Sequence, residues 1–177
     1  IGGEEMAHIP PQWREGPVGP GLALGAAFGQ TADIVGTVIC GDSYFNEHTK
    51  QALPEILEMI KAAEPDLLIA GPAFNAGRYG VACGTVAKAA QEELGIKAIT
   101  GMYVENPGAE MFARDVYIIS TRNSAAGMRD AVKKLVPLAQ KLVSGDPIGA
   151  SSEEGYLPQG IRVNLFEKDR GAKRAVE

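Results

Sequence analysis

The chain contains 177 residues, of which 45% are hydrophobic and 22% are charged, and its formal net charge is -5. This composition excludes a wholly disordered chain, and the acidic balance argues against a nucleic-acid partner. No stretch approaches the roughly 18 consecutive apolar residues of a membrane span, and residues 1–11 lack the pattern of a secretion signal. We therefore expect a soluble, cytoplasmic protein with reduced cysteines and no membrane partner.

A lead-in segment and a first strand are predicted in the N-terminal part of the chain. Residues 1–30 are rich in glycine and proline and predict one helix, at residues 21–28, which ends at Gly29. Residues 34–40 are β-branched and nearly all apolar, which is typical of a strand buried on both faces. The polar residues 41–46 are predicted to form a loop.

A repeating order of strand, loop and helix follows. Four apolar side chains recur at three- and four-residue steps and predict an amphipathic helix up to Ala63, with Pro54 near its first turn: Leu53, Ile56, Leu57 and Ile60. The later elements are predicted as a strand at 67–70, a glycine-rich loop at 71–80, a helix at 81–94, a strand at 97–102, a loop at 103–108, a strand at 116–119, a loop at 120–124, and a long helix capped by Asn123 or Ser124.

This alternation predicts the fold class and the domain limits. Parallel strands need crossover helices, so residues 31–143 are predicted to form a three-layer, doubly wound α/β domain of the Rossmann-like or flavodoxin-like type with a mainly parallel sheet. Glycine and proline interrupt residues 144–177, which we predict to be an extended arm with a strand-like run at residues 161–165 and the start of a helix at its end.

The loops at the carboxyl ends of the four predicted strands form the candidate site, which we call the strand-end rim: residues 41–46, 71–80, 103–108 and 120–124. Ligands of doubly wound sheets bind at this edge. The rim residues suited to a small polar or zwitterionic molecule are Asp42, Ser43, Tyr44, Asn75, Arg78, Tyr79, Glu105, Asn106 and Ser124. Turn formation is the favoured role for any one of these residues, with the exception of Arg78. Turns do not require an arginine, and the guanidinium of Arg78 can bind a carboxylate bidentately. An exposed charge or a subunit contact is the alternative role of Arg78.

Cys83 is a possible reactive thiol. It lies in the first turn of the predicted helix, where the helix dipole would lower its pKa. A small buried side chain packed on the sheet is the favoured alternative, because no histidine is near it in the sequence. His8 and His48 are isolated, so we expect no metal site, and the residues alone show no catalytic machinery.

Several long motifs point to a family. They are Ile1–Glu5, Val38–Glu47, Gly71–Gly84, Asn123–Asp130, Gly155–Tyr156, and Arg170 to the end. These motifs resemble the selenoprotein B subunit of the glycine, sarcosine and betaine reductases, over essentially the whole chain. The resemblance implies a complex in which a pyruvoyl-containing subunit holds the amino acid and a selenolate attacks the substrate's α-carbon, releasing the amine. It also implies that the carboxymethyl group then passes to selenoprotein A, and that acetyl phosphate is finally formed.

The resemblance covers only the N-terminal portion of that subunit. In the family, the selenocysteine lies in a second α/β portion that this chain lacks, so no catalytic residue can be carried over and no cofactor is expected within the chain. One hypothesis is that the rim forms a wall of the active site for glycine, sarcosine or betaine. The other is a non-catalytic assembly domain, whose arm from Ser144 to Arg174 docks the pyruvoyl subunit or a second copy.

The assembly hypothesis depends on the apolar side chains of the arm, and the oligomer is an expectation that comes from the resemblance. These side chains are Tyr156, Leu157, Ile161, Val163, Leu165 and Phe166. A long segment with no core of its own should bury them against another surface.

Overall fold

The computed structural model describes residues 3–160. Its strands are β1 (Gln12–Glu15), β2 (Gly36–Ile39), β3 (Leu67–Phe74), β4 (Lys97–Met102) and β5 (Tyr117–Ser120). Its α-helices are α1 (Pro20–Phe28), α2 (Asp42–Glu47), α3 (Thr49–Ala63), α4 (Gly77–Leu94), α5 (Pro107–Phe112), α6 (Met128–Ser144) and α7 (Ser151–Glu154), with 3-10 turns at Glu4–His8 and Ala125–Gly127.

A parallel sheet in the order β3-β4-β5 forms the centre of the fold. Successive side chains of a strand face opposite sides, and here one side packs against α1 and α6 while the other packs against α3 and α4. Ile99 and Ile119 are fully buried on the first side with Leu135 and Leu138 of α6. The α/β class with a parallel sheet is confirmed, whereas the doubly wound, Rossmann-like or flavodoxin-like assignment stays a prediction.

The strand predicted at residues 34–40 does not join this sheet. Only Gly36–Ile39 form a strand, β2, which pairs antiparallel with β1 in a separate two-stranded sheet, and all four of its residues are only partly buried. The pairing follows from close packing of the lead-in segment, because the Trp13 indole lies where a side chain at Gly36 would stand. The prediction of a strand buried on both faces is therefore wrong for β2.

Helix boundaries differ from the prediction mainly around the rim. The helix before Gly29 is confirmed, and Gly29 has the positive φ of +57° that suits a helix end. The predicted loop 41–46 is instead helix α2, and α4 begins at Gly77, four residues before the predicted start. Pro54 lies in the second turn of α3.

The long helix α6 has no side-chain cap from Asn123 or Ser124. Its N-cap residue is Gly127, and Ser124 precedes the 3-10 turn without accepting a capping hydrogen bond. The short 3-10 turn therefore replaces the predicted cap.

The described part of the predicted arm packs against β5. Ser120 N donates to Gly155 O at 2.9 Å and Leu157 N donates to Ile118 O at 2.7 Å, so this segment runs antiparallel along the edge of the sheet. Leu157 is buried, and the Tyr156 ring meets Tyr117 edge to face at 5.0 Å. The strand-like run at 161–165 and the predicted terminal helix lie outside the described residues. Among the helices at residues 3–160, none has the length and apolar character needed to cross a membrane.

Candidate functional site

The carboxyl ends of the three parallel strands lie side by side, as the prediction of a strand-end rim requires. Tyr103 N donates to Phe74 O at 2.9 Å, and Thr121 N donates to Met102 O at 3.0 Å, which ties together the segments that follow β3, β4 and β5. The helix α2, which follows β2, reaches the same edge because its first residue contacts α4. The rim therefore brings the predicted segments together, although two of them are helix ends instead of loops.

Arg78 and Asp42 form an ion pair at this edge. Arg78 Nε lies 3.5 Å from Asp42 Oδ2, and their side chains are 63% and 27% exposed. The other carboxylate oxygen, Asp42 Oδ1, accepts a hydrogen bond from the backbone N–H of buried Ser43 at 2.9 Å. An ion pair this long and exposed stabilises the fold little. It orients the guanidinium while leaving its terminal N–H groups available to another acceptor.

Asn106 has a structural role, and its surroundings do not support the predicted role in substrate binding. Its side chain is 1% exposed and has three partners: Nδ2 donates to Phe74 O at 3.0 Å and to Ala76 O at 3.1 Å, and Oδ1 accepts from Gly108 N at 2.9 Å. These bonds cap α5 and hold Phe74, whose φ is +52°. Both N–H donors of the amide are used within the chain, and burial keeps the second lone pair of Oδ1 away from a ligand at the surface.

Cys83 is not at the start of a helix, so the dipole argument for a reactive thiol is wrong. Because α4 begins at Gly77, Cys83 lies in its second turn and is 5% exposed. Burial raises the pKa of Cys83 to about 12, and the hydrogen bond with Tyr79 lowers it only in part. The favoured alternative, a small buried side chain, is the one observed.

The second thiol and the rim tyrosine are also held in their neutral forms. Burial raises the pKa of Cys40 to about 11, with smaller contributions from the carboxylates of Glu55 and Asp42. The Cys83 thiol, followed by burial, raises the pKa of Tyr79 well above its usual value. Neither thiol is a ready nucleophile at neutral pH.

The remaining predicted residues divide into those that face a cavity and those that do not. Asn75 and Ser124 are exposed and line the cavity, as do Asp42 and Tyr79. Tyr44 instead packs against His48, with ring centroids 4.6 Å apart. Neither Tyr44, Ser43, Glu105 nor Arg78 lines the cavity, although Arg78 contacts Asp42 at its mouth.

The cavity has a volume of about 1720 Å³ and extends well beyond the rim. One wall is β3 and the opposite wall is β2, with α1 and α6 on one side and α3 and α4 on the other. Within residues 3–160, no group of three or more His, Cys, Asp or Glu side chains is arranged to hold a metal ion.

Comparison with known proteins identifies the family. Residues 1–177 match the family described as Glycine/sarcosine/betaine reductase selenoprotein B (GRDB). The chain belongs to this family. It is 58% identical over 177 residues to the glycine reductase complex component B subunit gamma of Carboxydothermus hydrogenoformans and 57% identical over 177 residues to the sarcosine reductase complex component B subunit beta of Peptoclostridium acidaminophilum.

The match covers all of this chain but only part of its relatives. The chain spans about 41% of the length of those two proteins. A betaine reductase complex component B subunit beta of Peptoclostridium acidaminophilum is 37% identical over 169 residues, which are 96% of this chain and 38% of that protein. No solved structure matches the chain significantly.

Sequence reasoning missed the contribution of the lead-in segment to the cavity of this reductase-family chain. Residues from α1 and β2, including Leu24 and Phe28, form walls of the cavity. The lead-in has no hydrophobic periodicity, so its pairing could not be predicted from spacing. The one available signal was a large aromatic side chain, Trp13, in a segment otherwise rich in small residues.

Proposed function

We propose that this chain is the N-terminal portion of a component B subunit in a glycine, sarcosine or betaine reductase complex, and that its rim holds part of the substrate. The observation that carries the proposal is the family match over residues 1–177. Asp42, Asn75 and Tyr79 line one cavity, and Arg78 is ion-paired with Asp42, which supports the rim as the place of contact.

The nucleophile of the reaction comes from outside this chain. Both thiols present, Cys40 and Cys83, have pKa values raised to about 11 and 12, so thiolate is scarce at neutral pH. The family implies a selenocysteine in this role, which would supply a selenolate for displacement at the substrate's α-carbon. A pyruvoyl-containing subunit and selenoprotein A are the further partners that we propose.

Arg78 would bind the carboxylate that glycine, sarcosine and betaine share. Its guanidinium is mostly exposed, and Asp42 holds it through Nε, so the terminal N–H groups remain for a bidentate contact. Asn75, exposed in the turn before α4, offers an amide donor at the same edge. Shared recognition of the carboxylate suits a family whose members differ in the substituents on the amine.

Substitution of Arg78 in the assembled reductase complex tests this function. We expect Arg78→Ala to raise the KM for the amino-acid substrate by about tenfold or more, because a hydrogen bond to a charged group contributes roughly 1.5–3 kcal/mol. Arg78→Lys should restore part of the loss. The matched control is Lys133→Ala, which removes an exposed positive charge on α6 outside the cavity. Unchanged amine release for both Arg78→Ala and Asn75→Ala would overturn the rim assignment.

The alternative proposal is an assembly domain that docks the pyruvoyl subunit or a second copy. Tyr156 and Leu157, which were expected to take part in docking, pack against β5 of the same chain, so they do not support it. Deletion of residues 161–177 in the full-length subunit, followed by measurement of the mass of the complex, separates the two functions. The alternative is favoured if the deletion abolishes assembly but leaves the substrate affinity of any complex that still forms unchanged.

A further inference from the structure

The cavity lies between two strands whose facing edges have no partner among the described residues. β3 pairs with β4 alone, and β2 pairs with β1 alone. Both β2 and β3 line the cavity along their length. We call the space between Gly36–Ile39 and Leu67–Phe74 the strand slot.

Helices close the strand slot from above and below, as they would close the interior of a sheet. Leu67 and Ile69 of β3 pack with the cluster of α1 and α6, and Leu68 packs with the cluster of α3 and α4. The slot is lined by Leu24 and Phe28 on the first side and by Ile56, Ile60 and Val86 on the second. A space that has strand edges at its sides and apolar helix faces above and below has the shape of a missing strand.

The length and the chemistry of the slot agree with this shape. It runs from Glu64, at the end of α3, to Asn75, just after β3, and the eight residues of β3 span about 26 Å at the usual rise per residue. Alternate residues of β3 direct their N–H and C=O groups away from β4, into the slot. Backbone groups between two helix layers need hydrogen-bond partners, because an unpaired group away from water is costly.

We propose that a β-strand from the part of the polypeptide that this chain does not span enters the slot and joins β2 and β3 into one sheet. The relatives provide the length for it, since this chain spans about 41% of them. Because both faces of the slot are apolar, the strand is about five to eight residues long and mostly apolar, as in the interior of parallel sheets.

Other occupants fit the slot less well. The run at residues 161–165 alternates apolar residues with Arg162 and Asn164, and a strand buried on both faces would not carry these polar side chains. Gly160 also lies beside Arg114, just before β5, and therefore away from β3 across the sheet. A second copy would have to insert a whole strand between β2 and β3, whereas every strand at residues 3–160 is already held along one edge by a strand of its own chain.

An inserted strand would connect the rest of the polypeptide to the rim. One end of the slot is lined by Asp42, Asn75 and Ser124, so one end of the strand lies beside these polar side chains. The assignment of the strand rests on family membership and geometry, and it does not depend on substrate binding by Arg78.

Hydrogen exchange of the full-length subunit, resolved to single amides, tests the proposal. We expect the amides of β3 that point away from β4 to exchange at least 100-fold more slowly than amides on the outer edge of β1, and as slowly as those of the central strand β4. These two strands provide the open-edge and the paired reference within the same molecule. Exchange of the outward β3 amides at the rate of the β1 edge would overturn the proposal.

A cross-linking measurement identifies the occupant. Photo-leucine at Leu67 and Leu68 of the full-length subunit should give cross-links to a peptide beyond residue 177 of the same polypeptide. Mixing isotope-labelled and unlabelled subunits distinguishes links within one chain from links between copies. Links that join two copies, or links only to residues 161–177, would overturn the assignment of the occupant even where the amides are protected.

Discussion

Asn75 and Asn106 show how two identical side chains at one edge of a sheet acquire different roles. Asn106 is 1% exposed, and its three hydrogen bonds join the turn after β3 to the first turn of α5. Asn75 is exposed at the mouth of the cavity. The different exposure and hydrogen bonding of the two residues cannot be predicted from composition, because the direction of an asparagine side chain depends on which backbone groups lie within its reach.

At the same scale, the two thiols give a prediction about pH. At pH 8, iodoacetamide should label Cys83 in a Cys40→Ser variant about 1,000-fold more slowly in the folded protein than in urea, because its pKa rises from 9.0 to about 12 and each pKa unit changes the thiolate fraction tenfold. The control is the Cys83→Ser variant. The pKa of Cys40 is about 11, so folding should slow the labelling of Cys40 by iodoacetamide less than it slows that of Cys83.

The same shift fixes the sign of the pH dependence of stability. The folded protein binds the Cys83 proton more tightly than the unfolded chain does. The contribution of this proton to the free energy of unfolding is therefore complete below about pH 9 and is lost as the pH rises toward 12. Rapid labelling with an apparent pKa below the ordinary value of 9.0 would show an activated thiol instead.

At the scale of elements, α4 and α5 cross closely through their glycines. A Cβ at Gly108 would lie 2.6 Å from the backbone of Gly80, and a Cβ at Gly84 would overlap the buried ring of Phe112. This contact explains why a glycine-rich stretch with low helix propensity is helical from Gly77. Tertiary packing outweighs helix propensity here. Because the sequence shows the propensity but not the packing, it predicts a loop where the first turn of α4 lies.

Gly108→Ala should lower the free energy of unfolding by roughly 1–3 kcal/mol, since backbone at Gly80 cannot move aside as a side chain tip would. The matched control is Gly77→Ala in α4, where a Cβ would meet only Pro107 at 3.4 Å. The control should be neutral or stabilise the helix by up to about 1 kcal/mol. Urea denaturation measures both, and equal effects of the two substitutions would refute the close crossing.

The elements also show which parts of the fold were predictable from sequence. Helices α3 and α6 and strands β4 and β5 follow from hydrophobic periodicity and apolar runs, because each depends on the pattern of its own residues. The pairing of β1 with β2 depends on Trp13 packing over Gly36 from a segment without periodicity. The position of the rim and the favoured burial of Cys83 could be inferred from the sequence, whereas the inward direction of Asn106 depends on Phe74 and Ala76, which are distant in sequence.

At the scale of the whole molecule, the described residues place polar side chains at the rim and hold both thiols with raised pKa values. Its cavity is bounded by two strand edges that are unpaired among the described residues. Under the proposed function, both features have the same consequence: a complete site would require the rim, a nucleophile and a strand that come from different parts of the polypeptide. Water would then be excluded from the proposed displacement only when these parts meet.

A split subunit tests this dependence. The glycine reductase component of Carboxydothermus hydrogenoformans, which is 58% identical to this chain over 177 residues, can be divided after the matched region into two separately purified polypeptides. Neither polypeptide alone should release amine from glycine in the presence of the other complex components, whereas the two together should restore part of the turnover, because the strand slot provides a specific place for them to associate.

An intact subunit treated identically is the control. Turnover by the polypeptide that corresponds to residues 1–177 alone would contradict the conclusion that its nucleophile comes from elsewhere, and lack of restoration while both polypeptides remain folded would argue against association through the slot.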